Sequence, residues 1–221
     1  MRPALRPAGH VLVLLLAILG FPGLAAAAHE PVPSAPLLEA VLERLETRGA
    51  FESPFRQVNY WIAFDEADTA RGVLTLVPPD RFRLDYTHPE GHLVVSDGRY
   101  VWTVIPEERQ VLRATHEATT GWGEFFCRGL EEAADSLAQV GEDPAWGAVA
   151  RIRLQEQPEW GIDSLHVEVA LEGALPVGYG YVDEEGNRIG FRFEAPRFPA
   201  GVAPVRFRFE LPEGYELFEV D

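Results

Sequence analysis

Apolar positions along the chain follow two periods. Leu37, Leu38, Val41, Leu42 and Leu45 recur at helical spacing with Glu39, Glu43, Arg44 and Glu46 between them, which predicts an amphipathic helix of about three turns ending near Gly49. From Phe51 the period drops to two. Val58, Tyr60, Ile62 and Phe64 alternate with Asn59, Trp61 and Ala63, and a polar Asp65 to Arg71 link leads to an apolar Val73 to Val77 strand that Pro78-Pro79 ends. In Arg81 to Tyr86 three charged side chains alternate with Phe82, Leu84 and Tyr86, one face for water and one for an apolar surface.

Two short apolar runs then meet at Ser96-Asp97-Gly98-Arg99, an Asp-Gly hairpin signal, and Gln110 to Arg113 follows. Between Thr119 and Val140 the pattern returns to helical spacing. Phe125, Phe126, Leu130, Ala133, Ala134 and Leu137 lie among four acids, which predicts a second amphipathic helix with a start weakened by Gly121, Gly123 and Gly129. Alternation resumes in Arg151 to Leu154, Leu165 to Val169, Ile189 to Glu194 and Val205 to Leu211, with a turn at Asp183 to Asn187. The sum is about ten strands and two helices without a linker, hence one α+β, mostly β domain: a curved antiparallel sheet, in the manner of an incomplete barrel, covered by helices.

The first 28 residues stand apart. Arg2, Arg6 and His10 precede the apolar run Val11 to Leu19, then Pro22-Gly23 and four alanines, the layout of a secretory signal peptide, so the mature domain is expected at 29–221. The apolar run is short for a bilayer, and no cysteine adjoins the cleavage site to take a lipid anchor. The exported chain is expected to be soluble. Its single cysteine, Cys127, has no intramolecular partner and reads as a small buried apolar residue. Removing Arg2 and Arg6 leaves 17 arginines and no lysine against 35 acids, a net charge of −18, which repels nucleic acid and anionic headgroups.

Enzyme chemistry finds no footing. The histidines lack metal-ligand spacing, and His88 and His92 flank Pro89 and Gly91 rather than sharing a helix. Ser96 lies in a turn without a nucleophile-elbow pattern, and the acids at Asp65-Glu66-Asp68 and Asp183-Glu184-Glu185 read as solvated hairpin tips. Neither catalytic residue, metal nor cofactor is expected. The many large aromatics on the apolar faces favour a ligand space over a fully filled core.

Pro79-Asp80-Arg81-Phe82-Arg83-Leu84-Asp85-Tyr86, Pro89, Leu93 to Gly98, Val101-Trp102 and Pro106 together resemble the signature of the outer-membrane lipoprotein carrier family, LolA, which runs P-x-x-F-R-W-x-Y, P, I-V-S-D-G, L-W-x-Y-x-P. Phe51 to Gln57 and Phe207 to Pro212 with Gly214 resemble its segments near the two ends. Pro78, Leu84 and Val104 depart from the usual Arg, Trp and Tyr. The resemblance implies an incomplete β-barrel with a helical lid over a hydrophobic cavity. It implies a periplasmic carrier that takes acylated lipoproteins from an inner-membrane ABC transporter to an outer-membrane receptor; a periplasmic sensor or scaffold domain of the same fold, or a carrier of another lipid or glycolipid, is the alternative, and a monomer is expected. Leu74, Leu76, Phe82, Leu84, Tyr86 and Trp102 are then expected to line the acyl-chain cavity, with Phe191, Phe193, Phe207 and Phe209 from later strands and Phe125, Phe126 and Leu130 from the covering helix.

Overall fold

A computed structural model describes residues 30–115, 137–154 and 162–220. One helix and thirteen strands are present among them. The helix α1 (Ser34–Arg48) buries Leu38, Val41 and Leu45 and stops where Gly49 takes a left-handed conformation, its N–H bonded to the Leu45 carbonyl at 2.8 Å. The predicted helix is therefore present, one turn longer at its N-terminal end.

The strands in chain order are β1 (Val32–Pro33), β2 (Phe51–Trp61), β3 (Glu66–Val77), β4 (Arg81–His88), β5 (Leu93–Asp97), β6 (Tyr100–Ile105), β7 (Gln110–Thr115), β8 (Leu137–Asp143), β9 (Gly147–Leu154), β10 (Ile162–Ala170), β11 (Leu175–Asp183), β12 (Arg188–Phe193) and β13 (Glu216–Val220). They form a single open sheet in the order β1-β8-β9-β10-β11-β12-β2-β3-β4-β5-β6-β7-β13. Only β13 runs parallel to its neighbour, β7. Thirteen strands at about 4.8 Å spacing make roughly 60 Å of sheet, whereas a 15-residue helix is about 22 Å long and 10 Å wide. A flat sheet would leave most of its apolar face bare. The sheet instead curls, so that Ala150 and Ile152 of β9, Val167 of β10, Phe193 of β12, Leu74 of β3, Phe82 of β4 and Val101 of β6 share one core with the buried side of α1.

Four differences from the sequence expectation have physical causes. The Asp65 to Arg71 link is nearly all strand, because Glu66 pairs with Trp61 and the β2–β3 register continues unbroken to Leu76 opposite Phe51. The segment β11 escapes a propensity reading because Gly178 and Gly180 dilute it. Both are needed: a Cβ at Gly178 would stand 2.6 Å from the Glu168 carboxylate, and one at Gly180 would stand 2.7 Å from the His166 ring.

Of the second helix expected between Thr119 and Val140, residues 119–136 lie outside the described residues, and the last four, Leu137 to Val140, are strand rather than helix, held between β9 and β1. The expected Val205 to Leu211 strand is also absent. Pro204–Phe207 forms a 3₁₀ turn, and the residues after it run extended without a ladder across the outside of the sheet. Period-two alternation marks any extended segment that packs every second side chain; it does not require a hydrogen-bonded neighbour.

The Ser96 to Arg99 turn forms as expected. Gly98 has φ +95°, the Asp97 carboxylate accepts from the Arg99 and Tyr100 N–H groups, and the Ser96 hydroxyl donates to the Asp80 carbonyl at 2.9 Å. A Cβ at Gly98 would lie 2.8 Å from the Asp80 carboxyl group.

Gly98→Val is expected to cost about 2 kcal/mol from backbone strain, a fall in melting temperature of about 4–8 °C; a fall of under a degree would contradict it. A second prediction concerns pH. Burial, helped by Arg151 and opposed by Glu168, lowers the His166 pKa from 6.5 to about 4. The unfolded chain thus binds this proton more tightly, so stability present above pH 6.5 is lost as pH falls towards 4. His166→Gln is expected to flatten the stability profile in that window, as measured by urea unfolding at several pH values; an unchanged slope would refute the assignment.

Candidate ligand-binding face

The two faces of the sheet differ in what covers them. Cross-strand pairing sets Leu74 opposite Leu84, Leu84 opposite Val94, Val94 opposite Thr103, Thr103 opposite Leu112 and Leu112 beside Phe218. Paired residues share a face, so this is one continuous row on the inner, helix-covered side. Exposure climbs along it: Leu74 is 0% exposed, Leu84 1%, Val94, Thr103 and Leu112 are half-buried, and Phe218 is 41% exposed. The inner face is thus sealed at β3 and β4 and open at β7 and β13.

The expected lining residues divide into three groups. Leu74, Leu76, Phe82, Leu84, Phe191 and Phe193 are buried in the common core with α1, and Tyr86 packs half-buried against it. Phe55 ties Tyr86 to Phe191: its ring meets Tyr86 edge-on at 5.3 Å and Phe191 at 5.6 Å. The six buried side chains share that core with the helix, and Tyr86 stands at its margin.

Trp102, Phe207 and Phe209 stand on the other side of the sheet. Trp102 is paired with Val95 and Arg113, on the opposite face of β6 from Val101. Phe209 stacks on the Trp102 ring at 5.4 Å, and Phe207 is buried with the Arg81 guanidinium 5.8 Å from its ring centre. Charged contacts hold the strap that carries them. Arg83 donates to the Arg206 carbonyl at 3.2 Å, and Arg197 and Arg206 both approach the buried Glu52. These three aromatics therefore fasten a strap over the outer face and do not share a surface with Phe82. Phe125, Phe126 and Leu130 lie outside the described residues.

Sequence reading also missed part of the inner surface. Val94 was hidden inside the hairpin motif and Leu112 inside a short strand, while Phe218 lies in the Glu-Leu-Phe-Glu-Val alternation beyond Gly214. In β2 the alternation changes content. Phe51, Ser53 and Phe55 point inward, and unbroken pairing carries the same face on to Gln57 and Asn59, sending Val58 and Tyr60 outward. The odd spacing from Phe51 and Phe55 was the signal for this. Among the described residues no group of three or more His, Cys, Asp or Glu side chains is placed to hold a metal, and no helix is long and apolar enough to cross a membrane.

Residues 47–210 match the family described as outer membrane lipoprotein carrier protein LolA. The chain belongs to that family. It is 29% identical over 154 residues to the outer-membrane lipoprotein carrier protein of Alkalilimnicola ehrlichii, a match spanning 69% of each chain. It is 26% identical over 182 residues to the protein of that name from Vibrio campbellii, spanning 79% of this chain and 82% of the relative. Among solved structures, an uncharacterized conserved protein from Thermus thermophilus superposes with a TM-score of 0.50 at 13% identity, covering 82% of this chain and 98% of its own. That last likeness bears on the fold alone.

Proposed function

We propose that this chain is a periplasmic carrier whose inner sheet face takes up the acyl chains of lipoproteins. It receives them from an inner-membrane transporter and passes them to an outer-membrane receptor, with residues 1–28 as the signal peptide that exports it. The observation that carries this reading is the inner row from Leu74 to Phe218, apolar but for Thr103 and graded from sealed to open. A ligand could enter at Leu112 and Phe218 without first disturbing α1, then advance by displacing the helix from Leu84 and Phe82.

The energies favour such an exchange. One acyl chain of about 14 carbons gains about 11 kcal/mol on leaving water. The three side chains α1 buries, Leu38, Val41 and Leu45, contribute about 5–9 kcal/mol together. The cover and a single acyl chain are close enough in free energy for either to occupy the face.

Val94→Glu and Leu112→Glu place a carboxylate on the half-buried part of the row, where an acyl chain would have to desolvate it. Binding of a triacylated cysteinyl peptide, measured by fluorescence titration, is expected to weaken about tenfold or more, whereas Trp102→Ala on the outer face leaves it unchanged. Folded Val94→Glu and Leu112→Glu proteins that bind normally would refute the assignment of the face.

A further inference from the structure

Beside the apolar row the inner face carries a line of polar groups that a surface made only for hydrocarbon would not need. The Tyr86 hydroxyl donates to Oε1 of Gln57 at 2.8 Å, Nε2 of Gln57 donates to Oδ1 of Asn59 at 2.7 Å, and Nδ2 of Asn59 donates to Oδ1 of Asp68 at 2.7 Å. Nε1 of Trp61 donates to the second oxygen of Asp68 at 2.8 Å. The line starts in the core, where Tyr86 abuts Phe55, and ends at the tip of the β2–β3 hairpin. Gln57 lies between Phe191 and Ala70 and Asn59 between Ile189 and Asp68, and both amides are half-buried. Val58, by contrast, points outward.

The direction of every bond is fixed from the ends. A carboxylate only accepts, so Asn59 must offer Asp68 its NH₂ and turn its carbonyl to Gln57, which must then turn its own carbonyl to Tyr86. Burial raises the Tyr86 pKa, so its hydroxyl keeps the proton it donates. Each amide has spent one N–H and one carbonyl lone pair on the line. The second N–H and second lone pair of each remain, on neighbouring residues of one face whose Cα atoms are about 7 Å apart along the strand.

We propose, building on the carrier reading above, that Tyr86, Gln57, Asn59 and Asp68 form the head-group end of the trough and bind the ester and amide linkages where an acylated peptide joins its fatty chains. The tails then run from Tyr86 past Leu84, two residues away on β4, and along the Val94 to Phe218 row that pairs with it. Carbonyls of the linkages accept from the free amide N–H groups, and peptide N–H groups donate to the amide carbonyls and to Asp68. The carboxylate at the outer end selects against a phosphodiester in the same place, since two anions would meet there.

The test compares three probes on the exported chain: a triacylated cysteinyl peptide, an alkyl-pyrene with no carbonyl, and dioleoyl phosphatidylglycerol. Gln57→Leu and Asn59→Leu are each expected to weaken the lipopeptide about three- to tenfold while leaving the alkyl-pyrene unchanged or tighter, and Tyr86→Phe, which removes one hydroxyl, is expected to shift binding in the same direction. Asp68→Asn is expected to improve phosphatidylglycerol relative to the lipopeptide. The inference is overturned if folded Gln57 and Asn59 variants bind lipopeptide as the parent does, if both apolar and acylated probes weaken equally, or if the parent prefers phosphatidylglycerol. A parent that binds neither the alkyl-pyrene nor the lipopeptide would overturn the carrier reading itself, a result distinct from any of these.

Discussion

The constraint from which the architecture follows is the mismatch between a long sheet with one apolar face and the single 15-residue helix available among the described residues to cover it. Curling the sheet around α1 satisfies the central strands completely, as the burial of Phe55, Leu74, Phe82 and Phe193 attests. It cannot also satisfy β7 and β13, whose inner side chains remain partly in water. Among the described residues, the same helix and sheet therefore make both a fully buried core and a partly exposed edge. In most folds an unfinished apolar edge is a hazard; under the carrier function proposed above it serves as the entrance.

The outer face solves a different problem. It carries a strap, and the strap is held by charge as well as by rings: Glu52 with Arg197 and Arg206, and the Trp102–Phe209 stack, while Arg113 with Glu219 ties β7 to β13. Further along, Glu168 bridges Arg151 and Arg192, and Arg192 also meets Asp143, four strands tied across the outside of the curl. With Glu168 buried, removing both arginines would leave a desolvated carboxylate without a partner, so this side is expected to hold its shape. The charged outer face and the apolar inner face come from the choice of side chain on alternate positions of the same strands.

Much of this was legible in the sequence, for local reasons. The α1 heptad-like spacing, the Arg81 to Tyr86 alternation and the Asp-Gly turn each encode their structure in a few neighbouring residues, and the motif from Pro79 to Pro106 resembles the family to which the chain belongs. What was not legible depended on distant partners. Trp102 and Phe207 look like cavity aromatics until pairing assigns Trp102 to the face opposite Val101 and the strap brings Phe209 onto it. Gly178 and Gly180 look like strand breakers until Glu168 and His166 fill the space above them. Gln57 and Asn59 look like solvent positions until the register from Phe51 carries them inward. In each case a side chain's meaning was set by the face it occupies, and a run of alternating residues leaves that choice between two faces open.

The central claim is that the inner face holds acyl chains, and native mass spectrometry of the exported chain purified from a bacterial periplasm tests it most directly. The account predicts a bound mass matching an acylated lipoprotein or its fatty-acylated fragment, lost in the Leu112→Glu variant. A protein that emerges empty and also refuses added triacylated peptide would contradict it.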